Sequence, residues 1–322
     1  MKVLKILSAA IALSITMSAQ AQSQGDTSTA NIATRGLTES DFPRWQEIEP
    51  GIYAYEDLHS PDGAGNVINT VSLIITTSDG VVVADGQQTV EQTQLLIDNV
   101  KKFTDQPIKY VVVASDHIDH VGGNEAFKAS YPDIVFISSY ASQRFLANKP
   151  NPPTETVASK RVINMGDTEI QILNIGRGHT GGDLAVYLPQ SKVLFMGELY
   201  LRRVFPAMRT GNPSEWVQTI KNAQGMDVSW YIPGHGFVDD AATLEKELDD
   251  ARMALEHVIG EVKRLHAAGV PCDMAKDDAA ADATCEAVKQ ADWGPYADWA
   301  LRGSLEPFAV VKVYQEIEGR LH

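Results

Sequence analysis

An apolar run, Tyr110-Val111-Val112-Val113-Ala114, ends directly in Ser115-Asp116-His117-Ile118-Asp119-His120 and then Val121-Gly122-Gly123. A short run of this kind fits a strand buried on both faces. His and Asp are costly to bury unless they are paired or bound to a cation. The strand is therefore expected to deliver this cluster to a loop, where α/β folds gather function. Imidazole and carboxylate groups at such an end suit zinc, or less specifically iron or manganese. In a turn His117, Asp119 and His120 cannot all point one way, so they could serve two neighbouring ions. Gly122 and Gly123 permit tight backbone geometry behind them.

The chain opens with Lys2 and Lys5, an apolar stretch from Ile6 to Met17, and Ala19-Gln20-Ala21. This pattern predicts a secretory signal peptide cleaved after Ala21, and hence a periplasmic or secreted protein. The apolar stretch is shorter than the roughly 20 residues a spanning helix needs, and no later segment qualifies, so no membrane span is expected. The formal charge is −15. Without Lys2 and Lys5 it becomes 25 bases against 42 acids, or −17. A surface this acidic repels phosphate backbones and argues against nucleic-acid partners. It does not choose among small-molecule substrates, and nothing in the sequence sets an oligomeric state. In an oxidising compartment the lone pair Cys272 and Cys285 reads as a disulfide, typically contributing ~2–4 kcal/mol. With no CxxC pair, these thiols are not read as a zinc site.

Residues 22–44 are rich in Ser, Thr, Asn and Gln, without periodicity, and read as a flexible lead-in. Short β-rich runs follow at Gly51–Tyr55, Thr70–Thr76 and Gly80–Ala84. Thr89-Val90-Glu91-Gln92 has the form of a capping box, with Leu95, Leu96, Val100 and Phe103 at helical spacing behind it. Beyond the motif, helices are predicted over Asn124–Ala129, Tyr140–Ala147 and Trp216–Ala223. Strands are predicted over Ile134–Ser138, Glu169–Ile175, Leu184–Leu188, Val193–Phe195 and Trp230–Ile232. This alternation indicates a layered α/β domain over 45–240. Two long helices, Ala241–Ala268 and Leu301–Ile317, form a C-terminal extension over 241–322. Its aromatic residues suit it to cover the core.

Four histidines lie in strand-end loops beside Gly or Asp: His117, His120, His179 and His235. His257 and His266 sit on the long helix, where a solvated face is the simpler reading. His59 is in an early polar loop and His322 is the terminus. Together the motifs resemble those of the metallo-β-lactamase superfamily, in its order. Gly80–Gly86 resembles its hairpin strand with a loop Asp, and Ser115–Gly123 resembles H-x-H-x-D-H-x-G-G. Gly178-His179-Thr180 resembles its G-H-T segment, Phe195–Leu199 its F-x-G-D-x segment, and Ile232–Gly236 its P-G-H-G. The resemblance implies an α+β fold, a four-layer αβ/βα sandwich with metals at one sheet edge, here carrying a helical C-terminal extension.

Carried over residue by residue, the resemblance implies two unequal metal sites. The first would take His117, His179 and position 115, where Ser115 replaces the family's His and is a poor ligand. The second would take Asp119, His120 and His235, all present. Glu198 stands where the family often has a bridging Asp, and could bridge or bind one ion. One or two Zn²⁺ are implied, with the second site favoured. Asp116 and His59 are weak candidates to replace the missing ligand. Asp85 and Asp183 are candidate partners for the ligating imidazoles, or simple turn residues. The implied activity is hydrolysis by metal-bound hydroxide, with Asp119 as the catalytic residue that orients it. β-Lactam hydrolysis leads among activities, since export places the protein where β-lactams act. Lactone, thioester, ester and phosphodiester hydrolysis stay open, because a fold alone does not choose. An iron-dependent oxidoreductase and a non-catalytic binding protein are the readings from other classes.

Overall fold

The computed structural model describes residues 32–59, 68–272 and 285–321. The expected signal peptide, and residues 22–31 of the expected lead-in, lie outside them. Two sheets form the centre. The first runs in the order β1 (Arg44–Glu49), β2 (Ile52–His59), β3 (Ile68–Thr77), β4 (Gly80–Ala84), β5 (Ile108–Val112), β6 (Val135–Ser139) and β7 (Glu155–Val157). It is antiparallel from β1 to β4 and parallel from β4 to β7. The second has the order β12 (Trp230–Ile232), β11 (Val193–Phe195), β10 (Ala185–Leu188), β9 (Thr168–Leu173) and β8 (Lys160–Met165).

The period-two alternation of strand side chains assigns each face of the first sheet to a different layer. Val81 and Val83 of β4, Ile74 of β3 and Val111 of β5 pack with Leu96 and Ile97 of α1 (Val90–Val100) and Phe127 of α3 (Asn124–Ser130). Val82, Leu73, Ile75 and Val112 point the other way, into a core shared with Ile170, Ile172, Val186 and Leu194 of the second sheet. Burial on both faces explains why β4 and the Tyr110–Ala114 run that ends β5 read as unbroken apolar stretches. Burying each such side chain stabilises the fold by roughly 1.5–3 kcal/mol. The same core contains Trp216 and Ile220 of α5 (Pro213–Gln224), Leu244, Leu248 and Val258 of α6 (Ala241–Ala267), and Val310 and Val313 of α8 (Arg302–Ile317). The extension beyond residue 240 thus completes the second sheet's core. Cys272 and Cys285 form a disulfide with Cα atoms 4.8 Å apart, joining the segment after α6 to α7 (Glu286–Gln290).

Several local expectations are corrected. Residues 32–44 are anchored: Arg35 pairs with Asp239 at 2.6 Å and stacks on Phe237 at 4.0 Å. The strand β1 begins at Arg44, inside the expected lead-in. Thr89 caps α1 through the Gln92 amide. Gln92, however, sends its own side chain to the Leu58 carbonyl, 2.8 Å away, so the box is half made. Phe103 lies beyond the end of α1 and stacks on Tyr53. Strands β7 and β8 escaped sequence reading because β8 turns only Ile163 and Met165 inward between polar neighbours.

Candidate metal centre

The loops carrying the motifs meet at one edge of the two sheets. His117 stands at the N-cap position of the four-residue helix α2 (Ile118–Val121), which places Asp119 and His120 on its first turn. Glycines make this turn possible. A Cβ on Gly122 would lie 2.0 Å from the Gln88 carbonyl oxygen, and one on Gly123 1.9 Å from Thr93 Oγ1. The Gly-Gly pair therefore lets α2 and α3 press onto the start of α1. Across the site, Glu198 lies in the 3₁₀ turn Gly197–Leu199 after β11. His235 follows β12, and a Cβ on Gly234 would strike the Gly197 backbone at 2.6 Å. This close approach brings Glu198 and His235 into one cluster.

Ligand atoms converge in two groups, Asp119/His120/Glu198/His235 and His117/His179/Glu198, with Glu198 common to both. His120 Nδ1 lies 2.9 Å from Asp85 Oδ2, and His235 Nδ1 2.5 Å from the Asn69 carbonyl oxygen. Each Nδ1 therefore donates, and each neutral ring presents a lone pair at Nε2. Those two Nε2 atoms are 3.2 Å apart. Two lone pairs facing at that distance require a proton or a metal ion between them. A donor set of imidazole nitrogens and carboxylate oxygens fits zinc, so the residues present fit the ion that the resemblance implies.

The electrostatics agree. Glu198 beside it pushes the His117 imidazole up to about 10, against the opposing effect of burial. Burial would lower His235, but Asp119 and Glu198 raise it to about 10. Burial would raise Asp119 and Glu198, but the surrounding imidazoles hold both below the usual carboxylate range. Carboxylates and imidazoles thus favour each other's charged forms here, and a cation that binds at a ring Nε2 takes the place of a proton.

The remaining candidates fall outside both ligand groups. Ser115 is fully buried, and its hydroxyl donates to Glu198 Oε2. His59 is buried at the end of β2, with Nε2 3.9 Å from Asp119 Oδ2; burial lowers it to about 4, so it is neutral. Asp116 faces a neighbouring cleft. Asp85 is a partner of a candidate ligating ring, His120. Asp183 is not: both its oxygens take Thr180, from the amide and the hydroxyl, at 2.7 Å each. His179 Nδ1 is buried without a hydrogen-bond partner among the described residues, and the ring packs edge-on to Trp216. Sequence reasoning missed Asn69, which meets His235 through a main-chain carbonyl in β3, a contact that leaves no mark in residue type.

Fold and site together define a metal-dependent hydrolase. Residues 65–235 match the family model of the metallo-beta-lactamase superfamily, and the chain belongs to that superfamily. It is 28% identical over 194 residues to a metallo-beta-lactamase type 2 of Bacillus sp. (strain 170), covering 58% of this chain and 74% of the relative. It is 27% identical over 163 residues to a hydroxyacylglutathione hydrolase of Brucella anthropi, covering 50% of this chain and 60% of the relative. Among solved structures, a metallo-beta-lactamase from Pontibacter korlensis superposes with TM-score 0.57 at 25% identity, covering 64% of this chain and 97% of that one. An enzyme from Hirschia baltica described as a metallo beta lactamase has TM-score 0.55 at 20% identity, covering 64% and 95%; that likeness supports the fold.

Proposed function

We propose that this protein is an exported zinc-dependent hydrolase of small acyl substrates, with β-lactams the first candidates. The observation that carries the reading is the convergence of two ligand groups on one buried carboxylate, Glu198. Held by Asp119, His120, His235 and Glu198, or by His117, His179 and Glu198, a zinc ion would supply Lewis-acid chemistry, lowering the pKa of water to about 7 and polarising a carbonyl. The chain's own residues do the rest. Asp119, held 3.2 Å from His235 Nε2, accepts a hydrogen bond from the attacking water and orients it. Asp85 and Asn69 fix the tautomers of His120 and His235. A cleft of about 390 Å³ opens beside His117, lined by Ile118, Val121, Phe145 and Leu146, with Lys149 among its charged groups. Its size suits a small ligand. The apolar wall accepts a substituent and Lys149 can meet an acidic group. Lys2, Lys5 and the Ile6–Met17 run support export.

The name of the Bacillus relative supports the β-lactam reading. The Brucella relative supports a second one, thioester hydrolysis. The test is a panel on zinc-loaded protein containing a chromogenic cephalosporin, a lactone and a glutathione thioester. Turnover of the cephalosporin, abolished by chelation and restored by zinc, is the expected result. Turnover of the thioester alone would move the assignment to the second reading. Zinc-bound protein that leaves all three intact would refute both.

A further inference from the structure

We propose that Ser115 and Glu198 act as a single unit that replaces the missing imidazole, so that the first metal site is rebuilt rather than broken. The inference rests on the metal-hydrolase reading above and concerns how its first site is completed. Ser115 Oγ has one proton and gives it to Glu198 Oε2. The same oxygen accepts the His117 backbone N–H at 3.3 Å. The hydroxyl is thereby committed on both sides and is a positioning group, not a ligand. The backbone of Ser115 is fixed in turn by Asp85, which accepts its N–H at 3.3 Å and that of Ala114 at 2.7 Å.

The held carboxylate faces both ligand groups. Glu198 Oε2 lies 2.9 Å from His117 Nδ1, and Oε1 lies 3.2 Å from His179 Nε2 and 3.4 Å from His235 Nε2. Glu198 therefore stands as the third ligand beside His117 and His179, while still reaching the second group. The two departures from the family pattern compensate in size. Serine leaves free the volume that an imidazole at 115 would fill, and the extra methylene of Glu carries its carboxylate into that volume. The two backbones lie close together here, since a Cβ on Gly197 would sit 3.1 Å from Ala114 Cβ. An Asp at 198 would fall short of Ser115, and a His at 115 would collide with Glu198.

Zinc titration of chelator-stripped protein, with cobalt substitution to read ligand-field spectra, tests this pairing. The natural protein is expected to bind two equivalents. S115A should weaken one equivalent by about 10–100-fold, the usual effect of losing a ligand's hydrogen-bonded partner, and weaken the other by less. S115T, which keeps the hydroxyl, should restore it. S115H and E198D should each lose the first-site cobalt spectrum, and the S115H/E198D double variant should regain it. Two unchanged equivalents in S115A, or strictly additive losses in the double variant, would overturn the pairing while leaving the metal-hydrolase reading intact. A natural protein that binds no zinc or cobalt at all would overturn both.

Discussion

Replacing Asp85 by Asn isolates one proton in the proposed metal centre. Asp85 is fully buried and accepts three hydrogen bonds, from Ala114 N at 2.7 Å, Ser115 N at 3.3 Å and His120 Nδ1 at 2.9 Å. In D85N the amide oxygen can keep the two backbone donors, so the fold survives. The amide nitrogen then faces His120 Nδ1 with a donor of its own. The ring must switch tautomer and place a proton on Nε2, the atom that points at His235 and Asp119. Losing a hydrogen-bonded partner of this kind typically costs 10–100-fold in metal affinity, or ~1.4–2.7 kcal/mol. Asn also tolerates the left-handed backbone of position 85, where φ is 59°. D85A is the contrast. It strands three buried donors, each costing about 1–3 kcal/mol, and should lower thermal stability even with chelator present. The assay is zinc competition against a chromophoric chelator, beside melting in excess chelator. D85N that melts like the natural protein but binds zinc less tightly is expected. Unchanged zinc affinity in D85N would refute the assignment of His120 Nε2 as a ligand atom.

Two further outcomes follow from packing and burial. G122A forces a Cβ to within 2.0 Å of a backbone oxygen and should cost about 1–3 kcal/mol together with zinc affinity; G181A, with open space around it, should do neither, and equal melting of the two would sink the close-approach argument. Glu56 is buried against Asn69 and Arg44, and burial pushes it from 4.5 up to about 7. The unfolded chain releases this proton first, so its contribution to stability falls as pH rises from about 4.5 to 7, by roughly 3 kcal/mol in all. The difference in unfolding free energy between the natural protein and E56Q, measured in chelator, should change by that order across this window; a pH-independent difference would remove Glu56 as its cause.

Much of the fold was legible because its signals are local. The β4 strand and the Tyr110–Ala114 run are apolar on both faces, and α5, α6 and α8 carry helical periodicity with their ends nearly where the sequence puts them. β7 and β8 were not, because a short strand that buries one or two side chains looks like a polar loop until its neighbour is known. The half-made capping box at Gln92 was missed for a related reason: the side chain found a better acceptor 34 residues away, at Leu58.

The sequence alone determined which groups could ligate a metal. Imidazoles and carboxylates following strands and flanked by glycine have few structural uses, and that signal needs no partner to be seen. What each group does was decided only by the tertiary structure. Asp85 and Asp183 look alike in sequence, yet one orients the His120 ring and the other ties down a turn. Asn69 meets His235 through its main-chain carbonyl while its side-chain amide clamps the Gly236 backbone, and only the return of the His235 loop to β3 brings them together. Ser115 reads in sequence as a lost ligand. Folding sets its hydroxyl against a carboxylate 83 residues away, and hydrogen bonds of such range depend on where the chain returns, which residue type does not encode.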